Sequence, residues 1–136
     1  MNLIEKQAEF TALFLSMDTW QERFQYLIDL GNELPEMPEH LRTSSTQIEC
    51  TSRTFFLAVH TEGIIRIRGW SNAAIPSGLI AMLRQIFDGA YVQDLDPDRI
   101  TFLQETGLLD NLTEQRKLAL QEMINRIFYL FGKYKI

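Results

Sequence analysis

The first thirty residues carry apolar positions at the period of amphipathic helices. Leu3, Ile4, Ala8, Ala12 and Leu15 share one side of a helical projection, and Phe10, Leu13 and Phe14 thicken it, which predicts a helix over residues 3–15. Asp18 and Thr19 then offer N-caps, with Gln21 and Glu22 three residues on from each. Trp20, Phe24, Leu27 and Ile28 continue at helical spacing, so a second helix is expected up to Gly31. Leu34-Pro35 and Met37-Pro38 follow. A residue before proline is steered away from the helical region, so this passage reads as extended, and polar residues 42–47 read as loop.

From Ile48 the residue types change. Thr54, Phe55, Phe56, Leu57 and Val59 favour a strand, and residues 64–70 form a second run in which Arg66 and Arg68 alternate with apolar positions. The pair reads as a hairpin turned by His60-Thr61-Glu62-Gly63, with Gly63 free to take positive φ. A short strand at 47–49 makes the sheet three-stranded and antiparallel, with Cys50 just past its end. Ser71 or Asn72 is expected to cap a third helix with the face Ile75, Leu79, Met82, Leu83 and Ile86, ended by Gly89; Pro76 is tolerated in its first turn. Asp96-Pro97-Asp98 caps a short helix carrying Ile100, Phe102 and Leu103 and stopped at Gly107. Thr113 starts the last helix, whose face is Leu120, Met123, Ile124, Ile127, Phe128 and Phe131. Two helices, a small sheet and three more helices make an α+β plan: a small antiparallel three-stranded sheet packed against helices.

A chain of 136 residues with 46% hydrophobic composition supports one compact domain over residues 1–136 that needs neither disulfide nor metal to hold its core. Its apolar runs are short or interrupted by Pro, Ser and Gly, so no membrane span is expected. Glu5 and Glu9 stand where a secretory signal carries cations, which makes the cytoplasm the expected location. With a net charge of -5 and its Lys and Arg scattered, the chain is not expected to bind nucleic acid.

The only cysteine, Cys50, lies in TQIECTSR, residues 46–53. Two readings stay open. A lone cysteine is often a small buried hydrophobe. Yet Cys50 follows a polar loop and precedes Thr51-Ser52-Arg53, a setting that leaves a thiol reachable. A neighbouring Arg53 cation favours the thiolate, and the adjacent Glu49 carboxylate opposes it.

Other chemistries fit less well. A cysteine hydrolase needs a histidine to take the thiol proton, and His40 and His60 carry no such signature. One Cys and two dispersed His offer no paired zinc spacing, so no metal is expected. Asp94, Asp96, Asp98 and Glu105 echo a calcium loop, but Arg99 stands where that loop needs glycine, and helix capping explains the same residues. The isolated glycines form no phosphate loop. Trp20, Phe24, Phe55, Phe56, Trp70 and Phe128 fall on apolar faces and read as core before they read as a ligand pocket. Arg116 is notable for its place in the first turn of the last helix, where a cation opposes the helix dipole.

Taken together, W-Q-E-R-F-Q-Y-L-I-D-L-G (20–31), L-P (34–35), I-E-C-T-S (48–52), S-N-A-A-I-P-S-G-L-I-A (71–81) and L-T-E-Q-R (112–116) resemble the SufE family, in order and with matching spacing over nearly the whole chain. The resemblance implies a SufE/IscU-like fold and a protein that accepts sulfur from a pyridoxal-phosphate-dependent, SufS-like cysteine desulfurase. It implies Cys50 as the acceptor, on a loop beside the sheet that shields it until the partner docks. Glu49, Ser52 and Arg53 flank that cysteine, and Asn72 and Arg116 match positions tied to docking or loop control. The chain itself is expected to bind no cofactor, and iron–sulfur scaffold proteins are implied as further partners. Three departures stand out: Glu49 occupies the place where the family usually has glycine, Phe55-Phe56 replaces a Val-Trp pair after the motif, and Arg116-Lys117-Leu118-Ala119 replaces an Arg-x-Asn-Gly segment. The alternative they raise is a diverged binding module that docks on a desulfurase or scaffold without taking sulfur.

Overall fold

A computed structural model describes residues 1–135. The elements are α1 (Leu3–Ser16), α2 (Trp20–Asn32), β1 (Gln47–Ile48), β2 (Thr54–Thr61), β3 (Ile64–Ser71), α3 (Ala74–Phe87), α4 (Phe102–Thr106) and α5 (Glu114–Lys135). The strands form one antiparallel sheet in the order β1-β2-β3, so the architecture is α+β. Among the described residues no helix is long and apolar enough to cross a membrane.

The hairpin is tighter than its sequence suggests. Strand pairing continues to Thr61↔Ile64, which leaves only Glu62 and Gly63 in the turn, with φ of 53° and 79°. Two consecutive residues of positive φ match the twist of the flanking strands, and that gain outweighs the discomfort of Glu62 there. His60 therefore belongs to β2, where its Nδ1 accepts from the Gly63 N–H at 3.3 Å.

The core is organised around α3, which packs on β3 along one side and α2 along another. Leu79, Ile80, Met82, Leu83, Ile86 and Phe87 are all buried, and Ile65 and Ile67 meet them from the sheet. The contact with α2 is unusually close. A Cβ at Gly31 would stand 2.7 Å from the Gly78 backbone nitrogen. Gly31 thus sits inside α2, which runs on to Asn32, and its role is to let two backbones approach rather than to stop the helix.

Three local expectations are corrected. In α1 the buried face is Leu3, Gln7, Phe10, Thr11 and Phe14, while Ile4, Ala8, Ala12 and Leu15 are exposed. The Phe10 and Phe14 rings stack at 5.2 Å, and Gln7 turns inward because its amide donates to the Arg99 carbonyl and accepts from the Thr101 and Phe102 N–H groups. Asp96 caps only a 3-10 turn, Pro97–Arg99, and Phe102–Thr106 forms a separate helix ended by Gly107 at φ 69°. Finally, α3 has Ala73 as its N-cap, with no side-chain cap, because Ser71 still belongs to β3 and Asn72 is used elsewhere.

Arg126 joins α5 to the sheet. Its guanidinium donates to the carbonyls of Thr46, Phe56 and Gln47 at 3.2, 3.0 and 2.8 Å. Those carbonyls lie where β1 begins to pair, so the strand that leads into Cys50 is anchored from behind.

Candidate functional site around Cys50

The register Ile48↔Thr54 between β1 and β2 forces residues 49–53 out as a connection. Cys50 lies in it, half-buried, against the edge of the hydrophobic core. The connection stands where β3 hands over to α3 and close to the first turn of α5, so three elements converge on it.

Two side chains tether the loop from outside. Asn72 accepts from the Arg53 N–H through Oδ1 at 3.0 Å, and its own N–H donates to the Arg53 carbonyl at 3.0 Å. Gln115 accepts from the Thr51 N–H through Oε1 at 3.1 Å. Asn72 stands out in the sequence; Gln115 does not, although it belongs to the L-T-E-Q-R stretch. A glutamine in the first turn of a helix carries no local sign of a partner 64 residues away.

The thiol faces inward. Its proton is shared between the Ser52 carbonyl at 3.3 Å and Thr54 Oγ1 at 3.5 Å, and Ser52 Oγ lies 3.2 Å from the sulfur. Beneath it is a cavity of about 40 Å³ walled by Ala73, Pro76, Leu79, Ala119 and Met123, with Arg116 at its margin. That is room for roughly one atom beyond the first row, since a water molecule's share of liquid volume is about 30 Å³. On its outer side Cys50 borders an open groove shared with Glu49, Thr51, Gln115 and the exposed Leu118. The cysteine thus borders both a small, mostly apolar pocket and a wider open groove.

Charge around the sulfur differs from the sequence reading. The Arg53 guanidinium lies over the rings of Phe55 and Trp70, at 5.5 and 5.7 Å, in a stack that also includes Arg42 over Trp70 at 4.9 Å. It serves that aromatic stack instead of pairing with the thiol. Glu49 is exposed on the groove side, and Arg116 is an exposed residue on the cavity side.

Neither histidine is among the described hydrogen-bond partners of Cys50. His60 stands six positions along β2 from Thr54, roughly 20 Å at the rise of a strand. His40 is exposed in the 3-10 turn Glu39–Leu41. Among the described residues no group of three His, Cys, Asp or Glu is arranged to hold a metal.

These features define a class: an α+β protein whose one cysteine is held on a tethered loop at the sheet end, over a small apolar cavity. Residues 8–129 match the family described as SufE, an Fe-S metabolism associated domain, and the chain belongs to that family. It is 34% identical to an uncharacterized SufE-like protein of Rhizobium meliloti (strain 1021), over 84% of this chain and 86% of that one. A SufE-like protein of Rhizobium etli is 32% identical over 84% of this chain and 81% of its own length. The fold is also that of a solution structure of a hypothetical protein from Thermus thermophilus, at a TM-score of 0.64 and 20% identity, covering 93% of this chain and 96% of that one.

Proposed function

We propose that this protein accepts sulfur from a cysteine desulfurase onto Cys50 and passes it toward iron–sulfur cluster assembly, working in the cytoplasm as a single domain. Membership in a family associated with Fe–S metabolism supports the pathway. The observation that carries the transfer reading is the position of Cys50 at both a small, mostly apolar pocket and an open groove, on a loop tethered by side chains.

The chemistry is thiol exchange. The Cys50 thiolate attacks the outer sulfur of a persulfide on the donor enzyme, one S–S bond forms as another breaks, and the donor's cysteine leaves as its thiolate. Electrons balance without an outside oxidant. Release of the Thr51 and Arg53 tethers lets the sulfur swing toward the groove and the donor. Return of the loop brings the added sulfur atom near the cavity, where apolar walls keep water and stray thiols from it. Pyridoxal phosphate belongs to the donor, and this chain contributes a nucleophile, a hinge and a shelter.

Glu49 favours weighing a second reading, a docking module that takes no sulfur, because it stands directly before Cys50 where relatives in the SufE family usually have glycine. Cys50→Ser separates the two. The transfer reading expects the variant to bind a desulfurase while the stimulation of cysteine turnover seen with the wild type disappears. Equal stimulation by wild type and variant, or none by either, supports the docking module.

A further inference from the structure

We propose that Ser52, Thr54 and Ser71 form a polarised hydroxyl chain that aims a hydrogen-bond donor at the Cys50 sulfur and stabilises its thiolate, with Thr54 acting both through Ser52 and at the sulfur itself, and Ser71 as a positioning residue that acts through Thr54. The proposal deepens the sulfur-acceptor reading and rests on it for its use, though the chain of hydrogen bonds stands on geometry alone.

The links are short and continuous. Ser71 Oγ lies 2.8 Å from Thr54 Oγ1, Thr54 Oγ1 lies 2.9 Å from Ser52 Oγ, and Ser52 Oγ lies 3.2 Å from Cys50 Sγ. Thr54 and Ser71 are cross-strand partners in the sheet, so the middle of the chain is fixed by backbone pairing. Thr54 is fully buried, which denies its hydroxyl any alternative partner in water.

A hydroxyl chain runs in one of two directions, and the proposal is the one that ends on the sulfur. The Ala73 N–H donates to Ser71 Oγ at 3.2 Å. An N–H only donates, so Ser71 Oγ is an acceptor at that end. If the chain ran away from the sulfur, Ser71 would also accept from Thr54, and its own proton would turn to solvent, which half-buried Ser71 reaches. If it runs toward the sulfur, the protons stay within the chain: Ser71 donates to Thr54, Thr54 to Ser52, and Ser52 to the sulfur. Each donated bond polarises the next, an effect of about 10–30% per bond.

The arrangement responds to ionisation. As a thiol, Cys50 donates to the Ser52 carbonyl and to Thr54 Oγ1. Loss of the proton removes both bonds and leaves the carbonyl facing an anion at 3.3 Å. The Ser52 hydroxyl, backed by Thr54 and Ser71, is the donor that remains. Charged groups near the sulfur come from two elements. Glu49 belongs to the loop itself and borders the outer groove, and Arg116 from α5 borders the cavity; both are exposed. Arg53 is engaged over Phe55 and Trp70, and α3 presents only Ala73, Pro76 and Leu79. The hydroxyl chain thus supplies the donor in contact with the sulfur.

The test is the alkylation rate of Cys50 by iodoacetamide as a function of pH, which uses no desulfurase and reads the only thiol in the chain. Thr54→Val is expected to react about three- to tenfold slower than wild type near neutral pH and at the wild-type rate once pH is high enough to ionise every thiol. Thr54→Ser is expected to stay within about twofold of wild type throughout, because it keeps the hydroxyl. Ser71→Ala, which touches no atom of Cys50, is expected to show a smaller loss of the same form. If Thr54→Val fails to fold, as judged by circular dichroism, Ser71→Ala decides the matter alone. The proposal is overturned if the folded variants match wild type at neutral pH, if the slowing is equal at every pH, or if Thr54→Ser behaves like Thr54→Val. A normal alkylation profile in a protein that takes no sulfur would instead count against the acceptor reading.

Discussion

Gln115, in the first turn of α5, accepts a hydrogen bond from the Thr51 N–H at 3.1 Å and so ties the residue after the cysteine to a helix 64 positions away. The side chain is exposed, so water competes for the same bond and its net worth is about 0.5–1.5 kcal/mol. That is enough to hold a loop closed and little enough for a docking partner to overcome.

Gln115→Ala should therefore raise the iodoacetamide reactivity of Cys50 by about two- to tenfold, and by the same factor at every pH, because it changes the open population while removing no charge and no hydrogen-bond partner of the sulfur. Hydrogen exchange at the Thr51 amide should accelerate with it. An unchanged rate at both would remove Gln115 as a latch.

Glu49 shares the outer groove with Cys50 and should repel anionic reagents approaching from that side. Glu49→Gln should speed reaction with iodoacetate about two- to threefold more than reaction with neutral iodoacetamide, and added salt should erase the difference. Equal gains for both reagents would mean that the carboxylate acts on the thiol and not on the approach.

The close crossing of α2 and α3 leaves no room for a methyl group at Gly31. Gly31→Ala should lower stability by about 1–3 kcal/mol in denaturant melts, as overpacking in a tight contact does. A neutral or stabilising result would show that the helices shift apart without penalty.

Arg126 spans three carbonyls that no shorter or single-headed cation can reach together. Arg126→Ala should cost about 1.5–3 kcal/mol, and Arg126→Lys should recover only part of it, since an ammonium lacks the planar fork. Full recovery by lysine would reduce the role of Arg126 to its charge.

Much of this architecture is legible in the residues because it is local. The β-branched and aromatic run at 54–59, the arginine alternation at 66–68 and the cap at Thr19, which accepts from the Glu22 N–H, each announce an element within a few positions. The loop around Cys50 follows from where the strands have to end. The face of α1 is ambiguous in sequence because Ile4, Ala8, Ala12 and Leu15 make as continuous a stripe as Leu3, Phe10 and Phe14. What breaks the tie is Gln7, whose bonds to residues 99–102 exist only once the chain is folded. The same holds at the site. Arg53 reads as a partner for the thiol because it is near in sequence, yet the Trp70 ring, brought alongside by strand pairing, claims it. Asn72 and Gln115 reach the loop across 19 and 64 positions, distances over which a sequence pattern carries no register.

The most direct measurement is the intact mass of the wild-type chain after incubation with a cysteine desulfurase and free cysteine, beside Cys50→Ser. The account predicts that wild type gains the mass of one or more sulfur atoms, removable by a reducing thiol, and that the variant gains none. A wild-type chain that binds the desulfurase and alkylates at Cys50 yet keeps its unmodified mass would contradict it.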